Sequence, residues 1–369
     1  MPGEVALFEG ARNMLVNCAG LAPGRRLLLL CEEATGYYGA GLGDAVLRAA
    51  GRLGIDAERR EVGFAPEVAD PGADLAQAMR QADRVLFLAR LGDQIRFRPM
   101  VAPVNPVVSY AIDAPMLASG FGRAHHGAFL ALKDCLDRAL SRARHIRVTC
   151  PLGTDLDGPG AAFPAAQGDV TITRFPLSVF TPVPAAGFRG VIAQAGFLTG
   201  TGSHYYAPYS LGLRDVLRVE FDGNRITGFH GDRTDVAAAR AHYDHVAGLL
   251  GIAADHLHSW HAGIHPGCAY TSQAGENIER WSGAAFGNPR ILHFHSCGAY
   301  APGEISLNVV DPTIRLDGVA VWDEGRLCPE RVAGGAAILA RYPCAAALFA
   351  NPSREVGLAP SGRLSARVE

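Results

Sequence analysis

Residues 26–31 read RLLLLC, and this short run decides the fold of the first part of the chain. An uninterrupted apolar run of this length is typical of a strand that is buried on both faces, as at the centre of a parallel sheet. The following residues 40–53 carry apolar side chains at helical spacing and end before Gly54. A buried strand followed by an amphipathic helix is the repeating unit of an open parallel sheet with right-handed crossovers.

The same alternation continues through the first 150 residues. Further strand signals lie at 58–62, 84–88, 106–112 and 145–150, and further helix signals lie at 75–82 and 129–143. We predict that strands 26–31, 84–88, 107–112 and 145–150 lie parallel in one doubly wound sheet. The glycine-rich residues 36–43 (GYYGAGLG) lack the GxGxxG order, and no GKS or GKT follows them. We therefore interpret them as a turn into the helix, with a dinucleotide site as the alternative.

The composition changes after Pro151. Glycine and proline become more frequent between residues 153 and 190, and strand signals dominate from 170 to 219. Residues 217–228 (LRVEFDGNRITG) predict a hairpin with a tight turn, residues 235–250 a helix, and residues 291–295 and 314–321 two strands. The sequence thus predicts an α/β protein with an N-terminal doubly wound parallel-sheet domain (1–150) and a C-terminal α+β domain (151–369).

The bulk composition excludes several classes of protein. The 369 residues include 49% hydrophobic and 19% charged residues, with a net charge of -2 from 34 basic and 36 acidic side chains. This mixture is typical of a packed globular protein and provides no basic surface for nucleic acid. The eight cysteines are scattered without a CxxC pair, the first residues do not resemble a signal peptide, and no apolar run could span a bilayer. We expect a cytoplasmic protein with a small-molecule substrate and neither a nucleic-acid nor a membrane partner.

Histidines are concentrated in one region of the second half. Of the thirteen histidines, six lie between residues 256 and 295. Imidazole is the commonest ligand of transition metals in proteins. His293 and His295 are two residues apart on a predicted strand, so their side chains point to one face. His261 and His265 have helical spacing, but Gly263 and Pro266 favour a loop for this segment.

Carboxylates that could complete a metal site follow the second histidine pair. Glu304 and Asp311 come shortly after the predicted strand 291–295, and Glu276 and Glu279 precede it. The sequence has neither a GxSxG elbow nor an HExxH helix, so no nucleophile or zinc-protease motif competes with this interpretation. His230 follows the predicted hairpin, where it either caps a turn or faces the site.

Several segments together resemble a known family. They are ARHIRVTCPLGTDLDG (143–158), LRVEFDGNRITGFHGD (217–232), HSWHAGIHPGCAY (258–270), AAFGNPRILHFHSCGAY (284–300) and TIRLDG (313–318). In order and spacing they resemble the 2,5-dihydroxypyridine 5,6-dioxygenase family and, more distantly, the thermophilic aminopeptidase T/S metallopeptidases of the same fold. The first family implies a mononuclear iron(II) held by two histidines and an aspartate. The second implies two metals, with a histidine and a tyrosine seven residues apart, a spacing that His293 and Tyr300 keep.

The sequence departs from the dioxygenase pattern at one point. That family has a His-x-Asp pair shortly before the segment similar to TIRLDG, and this chain has none. Its place is taken either by residues 304–306 or by residues 309–311. We expect a replacement site with one histidine from His258 or His261, one from His293 or His295, and a carboxylate from Glu304 or Asp311. The remaining candidates are His265, His230 and Tyr300, as catalytic groups.

The resemblance implies a metal-dependent enzyme, and our leading hypothesis is a non-haem iron(II) dioxygenase that cleaves a small hydroxylated N-heteroaromatic ring. A nearby histidine would act as the base for the substrate hydroxyl. Zinc is the alternative metal. The alternative functions are an aminopeptidase-like hydrolase and a metal-free relative. The latter would be a histidine acid/base enzyme or a binding protein in a biosynthetic pathway. By analogy with the fold we also expect a homo-oligomer.

Overall fold

The computed structural model describes residues 2–33, 36–66, 72–95, 106–161, 172–200, 205–299 and 301–368. The chain divides into two compact units. The first consists of residues 1–130 with 169–178, and the second of residues 131–168 with 179–369. Within the described ranges, no helix combines the length and the apolar composition that crossing a bilayer requires.

Strands outnumber helices among the described residues. The strands are β1 Arg26–Glu32, β2 Asp56–Val62, β3 Arg84–Leu88, β4 Val107–Ser109, β5 Ile146–Thr149, β6 Asp155–Gly158, β7 Thr173–Phe175, β8 Val183–Pro184, β9 Arg189–Gln194, β10 Phe197–Thr199, β11 Ser210–Gly212, β12 Leu217–Asp222, β13 Arg225–His230, β14 Leu257–Ala262, β15 Ile291–Cys297, β16 Glu304–Val310, β17 Thr313–Leu316, β18 Val319–Asp323 and β19 Arg326–Leu327. The α-helices are α1 Pro2–Arg12, α2 Leu42–Arg52, α3 Gly72–Gln81, α4 Arg90–Ile95, α5 Ala114–Ala118, α6 Gly120–Arg123, α7 His126–Arg142, α8 Arg233–Leu250, α9 Ile278–Ala284, α10 Gly335–Arg341 and α11 Pro343–Ala350.

The first unit is built on a parallel sheet. Its strand order is β2-β1-β3-β4-β7, and every neighbouring pair is parallel. Residues 27–32 of β1 are all buried, because helices cover both faces of a central parallel strand. The prediction of a parallel sheet from runs such as RLLLLC is therefore confirmed, and so is the α/β fold class.

One predicted member of this sheet is placed wrongly. The strand predicted at 145–150 is β5, which lies in the second unit and pairs antiparallel with β6 and β17. The physical reason is visible in its burial: Ile146 and Val148 are buried, whereas Arg147 between them is exposed. A strand with one solvated face suits an antiparallel sheet rather than the centre of a parallel one. The domain boundary at residue 150 stays a prediction.

The second unit contains an eight-stranded antiparallel sheet of order β13-β12-β9-β6-β5-β17-β18-β19. The predicted hairpin at 217–228 is confirmed as β12 and β13, with Gly223 at φ 63° in the turn. The single strand predicted at 314–321 is wrong, because the chain reverses within it to form β17 and β18. Asp317 and Gly318 have φ values of 47° and 90°, and two consecutive positive φ values are typical of a tight hairpin turn.

A six-stranded antiparallel sheet of order β11-β10-β16-β15-β14-β8 completes the second unit. The predicted strand 291–295 is confirmed as β15, but the loop predicted around His261 is wrong, since residues 257–262 form β14 and only Gly263 onward leaves the strand. On one face of this sheet Trp260, Phe294 and Leu307 stand opposite one another and are buried. Phe294 also contacts Phe221 of β12, with ring centroids 6.5 Å apart. This apolar face therefore packs towards the eight-stranded sheet, and the other face is left to carry polar residues.

Candidate metal centre

Strand register assembles the polar face of the six-stranded sheet. His261 on β14 stands opposite His293 on β15, which stands opposite Asn308 on β16. In the adjacent row, Ser259 stands opposite His295, which stands opposite Ser306 on β16. Directly opposed residues of antiparallel strands have their Cβ atoms about 5 Å apart. Two separate histidine groups of the sequence thus meet because two strands pair.

Three imidazoles converge on this face. Ligand nitrogens of His261, His293 and His295 all lie within 4.8 Å of one another, and all three residues are buried. His261 Nε2 lies 2.5 Å from His293 Nε2 and 3.3 Å from His295 Nε2. Nitrogen is a ligand for iron, zinc, copper and nickel, and three converging imidazoles form a set of the kind that binds such ions.

Hydrogen bonds on the far side of two rings fix their orientation. The Nδ1–H of His261 donates to the carbonyl oxygen of Phe180 at 3.1 Å, because a carbonyl can only accept. The lone pair of neutral His261 is therefore on Nε2, the atom that faces the other two histidines. His295 Nδ1 lies 2.8 Å from the Ser259 hydroxyl, so its Nε2 is likewise directed to the centre. Such outer hydrogen bonds are the usual way in which proteins orient metal-binding imidazoles.

Aromatic rings surround the centre. The ring of Phe286 stacks on His293, with centroids 4.1 Å apart and an interplanar angle of 25°. Phe180 meets His261 edge to face at 6.2 Å. These rings keep bulk water from the imidazoles, and charges interact more strongly where water is excluded.

Glu304 is the carboxylate that the structure brings to the histidines. It begins β16, on the same face as Ser306 and Asn308, because residues two apart on a strand share a face. Its Oε1 lies 3.9 Å from His295 Nε2, and the side chain is buried. The Tyr206 hydroxyl donates to the Glu304 backbone carbonyl at 2.9 Å, and burial raises the pKa of Tyr206 well above its usual value. This phenol therefore stays a donor and holds the start of β16 in place.

The donor set fits a divalent metal. Nitrogens bound to one ion at about 2.1 Å lie roughly 2.9 to 4.2 Å apart, so the 3.3 Å spacing of His261 and His295 fits directly. The 2.5 Å spacing of His261 Nε2 and His293 Nε2 is shorter than an ordinary hydrogen bond and leaves room for one proton between the two nitrogens. A metal would replace that proton, as is usual when imidazoles become ligands. The two rings would then move apart by a few tenths of an ångström.

A β-bulge at His258 sets which residues of β14 face the histidine centre. Leu257 stands opposite Ser296, and Ser259 stands opposite the adjacent His295, so His258 is an extra residue. The bulge lets Leu257 face the apolar core while Ser259 and His261 face the centre. His258 itself points elsewhere: its Nε2 lies 2.9 Å from the Cys297 carbonyl oxygen, and burial lowers the pKa of His258. His261, and not His258, is therefore the residue of this strand that the structure places at the centre.

Other sequence candidates lie apart from the three-histidine group. His230, at the end of the edge strand β13, is exposed and lies 3.0 Å from Glu220. The carboxylate of Asp311 forms an ion pair with Arg290 at 2.6 Å instead of approaching the histidines. His265 is buried, but its Nδ1 accepts a hydrogen bond from the Gly267 N–H at 3.2 Å, and it is not a member of the group. Tyr300 lies outside the described residues.

The structure also adds residues that sequence reasoning missed. Ser259 supports His295, and Ser306 and Asn308 share the histidine face. A signal for the latter two was present: residues 304–310 read EISLNVV, with polar residues at 304, 306 and 308 in an otherwise apolar segment. In a strand whose other face is core, such alternation indicates a polar face.

Comparisons with known proteins support the fold and leave the activity open. No protein-family profile matches the sequence, and no curated protein sequence is similar to it. Among solved structures, the chain is similar to 2,5-dihydroxypyridine dioxygenase from Pseudomonas putida, with a TM-score of 0.57 and 14% identity, over 87% of this chain and 96% of that chain. AmpT from Thermus thermophilus gives a TM-score of 0.48 and 11% identity, over 88% of this chain and 99% of that chain. The first likeness shows a shared fold, so the resemblance is confirmed at the level of the fold and no sequence family is shown.

Proposed function

We propose that this protein is a metal-dependent enzyme whose metal is bound by His261, His293 and His295, with Glu304 as the adjacent carboxylate. More specifically, we propose that it is a non-haem iron(II) dioxygenase that cleaves the ring of a small hydroxylated N-heteroaromatic compound. The observation that carries the proposal is the convergence of three buried imidazole nitrogens within 4.8 Å. The name of the dioxygenase that shares the fold supports the choice of reaction and substrate class.

The residues of this chain have separate roles in the proposed reaction. Iron(II), when bound, would mediate the transfer of electrons from the aromatic ring to dioxygen; the ring supplies all the electrons, and both oxygen atoms end in the cleaved product. The Phe180 carbonyl and the Ser259 hydroxyl hold His261 and His295 with Nε2 towards the centre. Glu304 Oε1, 3.9 Å from His295 Nε2, is placed to take part as an anionic donor or to accept the proton of a substrate hydroxyl.

A metal-free enzyme is the second candidate, and one specific distance favours it. His261 Nε2 and His293 Nε2 lie 2.5 Å apart, close enough for a proton to pass from one imidazole to the other, as in an acid/base pair. An aminopeptidase-like site has less support, because a second metal needs further carboxylates. The approach of one carboxylate, Glu304, to His295 Nε2 at 3.9 Å supports a site for a single metal.

Metal analysis of the purified protein, before and after anaerobic addition of iron(II), tests the proposal. We expect close to one metal ion per chain, and loss of most of it in His261→Ala and His293→Ala. His230→Ala is the matched control, because this histidine is exposed and pairs with Glu220. Circular dichroism of each variant shows whether the fold is kept. Absence of metal from the folded wild-type protein under both conditions would overturn the proposal in favour of the metal-free enzyme.

A further inference from the structure

Two buried polar groups beside the histidine centre have no hydrogen-bond partner among the described residues. They are the amide nitrogen Nδ2 of Asn308 and the hydroxyl Oγ1 of Thr199. Asn308 is 2% exposed and Thr199 is 0% exposed. Leaving a buried donor unsatisfied is costly, so such groups commonly mark the place where a ligand binds.

One side-chain hydrogen bond orients the Asn308 amide. The Ser306 hydroxyl donates to Asn308 Oδ1 at 3.1 Å, and the backbone N–H of Asn308 donates to the side-chain oxygen of Gln194. The Ser306 hydroxyl thus occupies the amide oxygen of Asn308, and the two hydrogens on Nδ2 are left as donors. Because Asn308 stands opposite His293, these donors lie on the face of the histidine centre.

Thr199 lies on the same face, one strand further from the histidines. It stands opposite Ser306 across the β10–β16 pair, and Ser306 stands opposite His295. Directly opposed residues share a face of a sheet, so the Thr199 hydroxyl and the Asn308 amide border the same side of the centre. Both are donors, and both therefore suit an acceptor oxygen.

The net charge of the metal site limits which class of ligand it would bind. Strand pairing places these polar residues on this face: Thr199, Ser210, Ser259, His261, His293, His295, Cys297, Glu304, Ser306 and Asn308. Among them Glu304 is the one carboxylate, and none is a lysine or arginine. A divalent metal with three neutral imidazoles and one carboxylate has a net charge of about +1. Burying an uncompensated charge is unfavourable, so a ligand with one negative charge completes the site.

We infer that Asn308 and Thr199 bind an oxygen of a small monoanionic substrate, a carboxylate or a deprotonated ring hydroxyl, next to the metal. This inference rests on the proposed function, because the charge balance includes the metal. It makes Asn308 a substrate-binding residue and not a metal ligand. The amide of Asn308 would donate a hydrogen bond to a substrate oxygen that is not bound to the metal.

The test uses the full chain loaded with cobalt(II), whose visible absorption reports ligand binding. Formate is the monoanionic probe, and formamide is its neutral match in shape. The variants are Asn308→Leu and Thr199→Val, which keep side-chain size and remove the donors. Ser296→Ala, a buried hydroxyl on the opposite face of β15, is the control.

We expect formate to bind at least ten times more tightly than formamide, and Asn308→Leu to weaken formate binding about ten-fold, the effect of losing one hydrogen bond to a charged acceptor. Thr199→Val should weaken it by a smaller factor. Metal content should be unchanged, and the melting temperature of the ligand-free Asn308→Leu protein should stay equal or rise. Equal binding of formate and formamide, unchanged formate affinity in Asn308→Leu, or loss of its metal would each overturn the inference. Each of these outcomes is measured on metal-loaded protein and leaves the proposed function standing. A wild-type protein that takes up no metal would instead overturn the proposed function and, with it, this inference.

Discussion

Ser259→Ala tests whether the outer hydrogen bonds of the centre serve metal binding. The substitution removes the hydroxyl that lies 2.8 Å from His295 Nδ1 and leaves the imidazole itself in place. The ring of His295 then loses the contact that directs its Nε2 to the centre. Loss of such an outer contact typically lowers metal affinity by about 10- to 100-fold. This corresponds to roughly 1.4 to 2.8 kcal/mol of binding free energy.

Ser296→Ala provides the matched control one residue further along β15 than His295. Its hydroxyl is buried on the opposite face, where it donates to the Ile305 carbonyl at 2.7 Å and lies 2.6 Å from the Tyr243 hydroxyl. Removing it should lower the free energy of unfolding by about 1 to 3 kcal/mol, because a buried group loses its partner. Metal affinity should not change, since none of these contacts reaches the histidines.

The assay is a competition titration of each metal-loaded variant with a chelator of known affinity, together with urea unfolding of the metal-free proteins. Ser259→Ala should show the larger change in metal affinity and the smaller change in stability, and Ser296→Ala the reverse. If Ser259→Ala binds metal within two-fold of the wild type, or if both variants lose affinity equally, the assignment of Ser259 as an orienting residue is wrong.

Three further predictions concern single side chains. Glu304→Gln should lower metal affinity about ten-fold while the circular dichroism spectrum stays unchanged, because an anionic oxygen is exchanged for an amide of the same shape. An unchanged metal affinity would exclude Glu304 from the site. Asp311→Asn should leave the metal content unchanged but lower the free energy of unfolding by about 1 kcal/mol, because it weakens the partly buried ion pair with Arg290. Loss of metal in this variant would show that Asp311 is a ligand. Burial lowers the pKa of His126 from 6.5 to about 4, so the unfolded chain binds its proton first as the pH falls and stability is lost from about pH 6.5 downward. Between pH 8 and 5.5 this lowers the free energy of unfolding by roughly 1 kcal/mol. His126→Asn should reduce the pH dependence of urea unfolding by about that amount, and an unchanged dependence would contradict the lowered pKa.

Local patterns were sufficient for much of the first unit. The run RLLLLC predicted a buried parallel strand because a strand covered on both faces needs apolar residues at every position. The prediction failed at β5, where Arg147 is exposed between two buried residues, and this alternation was legible in the sequence. Continuous and alternating apolar patterns have to be distinguished before a strand is assigned to a sheet.

The candidate site was predicted only in part, because the sequence does not show the register in which its strands pair. The spacing of His293 and His295 predicted one shared face from local geometry. Which histidine of the earlier segment would meet them depended on how β14 pairs with β15, a contact between residues about thirty positions apart. That pairing contains a β-bulge, which the local sequence around His258 does not predict. The choice between His258 and His261 therefore had to remain open at the level of sequence.

The bulge at His258 also makes the centre sensitive to chain length. Removing one residue from this strand would restore unbroken alternation, so that either Leu257 leaves the core or Ser259 and His261 turn away from their partners. A homologue could thus conserve all three converging histidines and still lack the centre, through one deletion. When relatives of this chain are aligned, a single gap between residues 257 and 259 carries as much information about their chemistry as the replacement of a ligand.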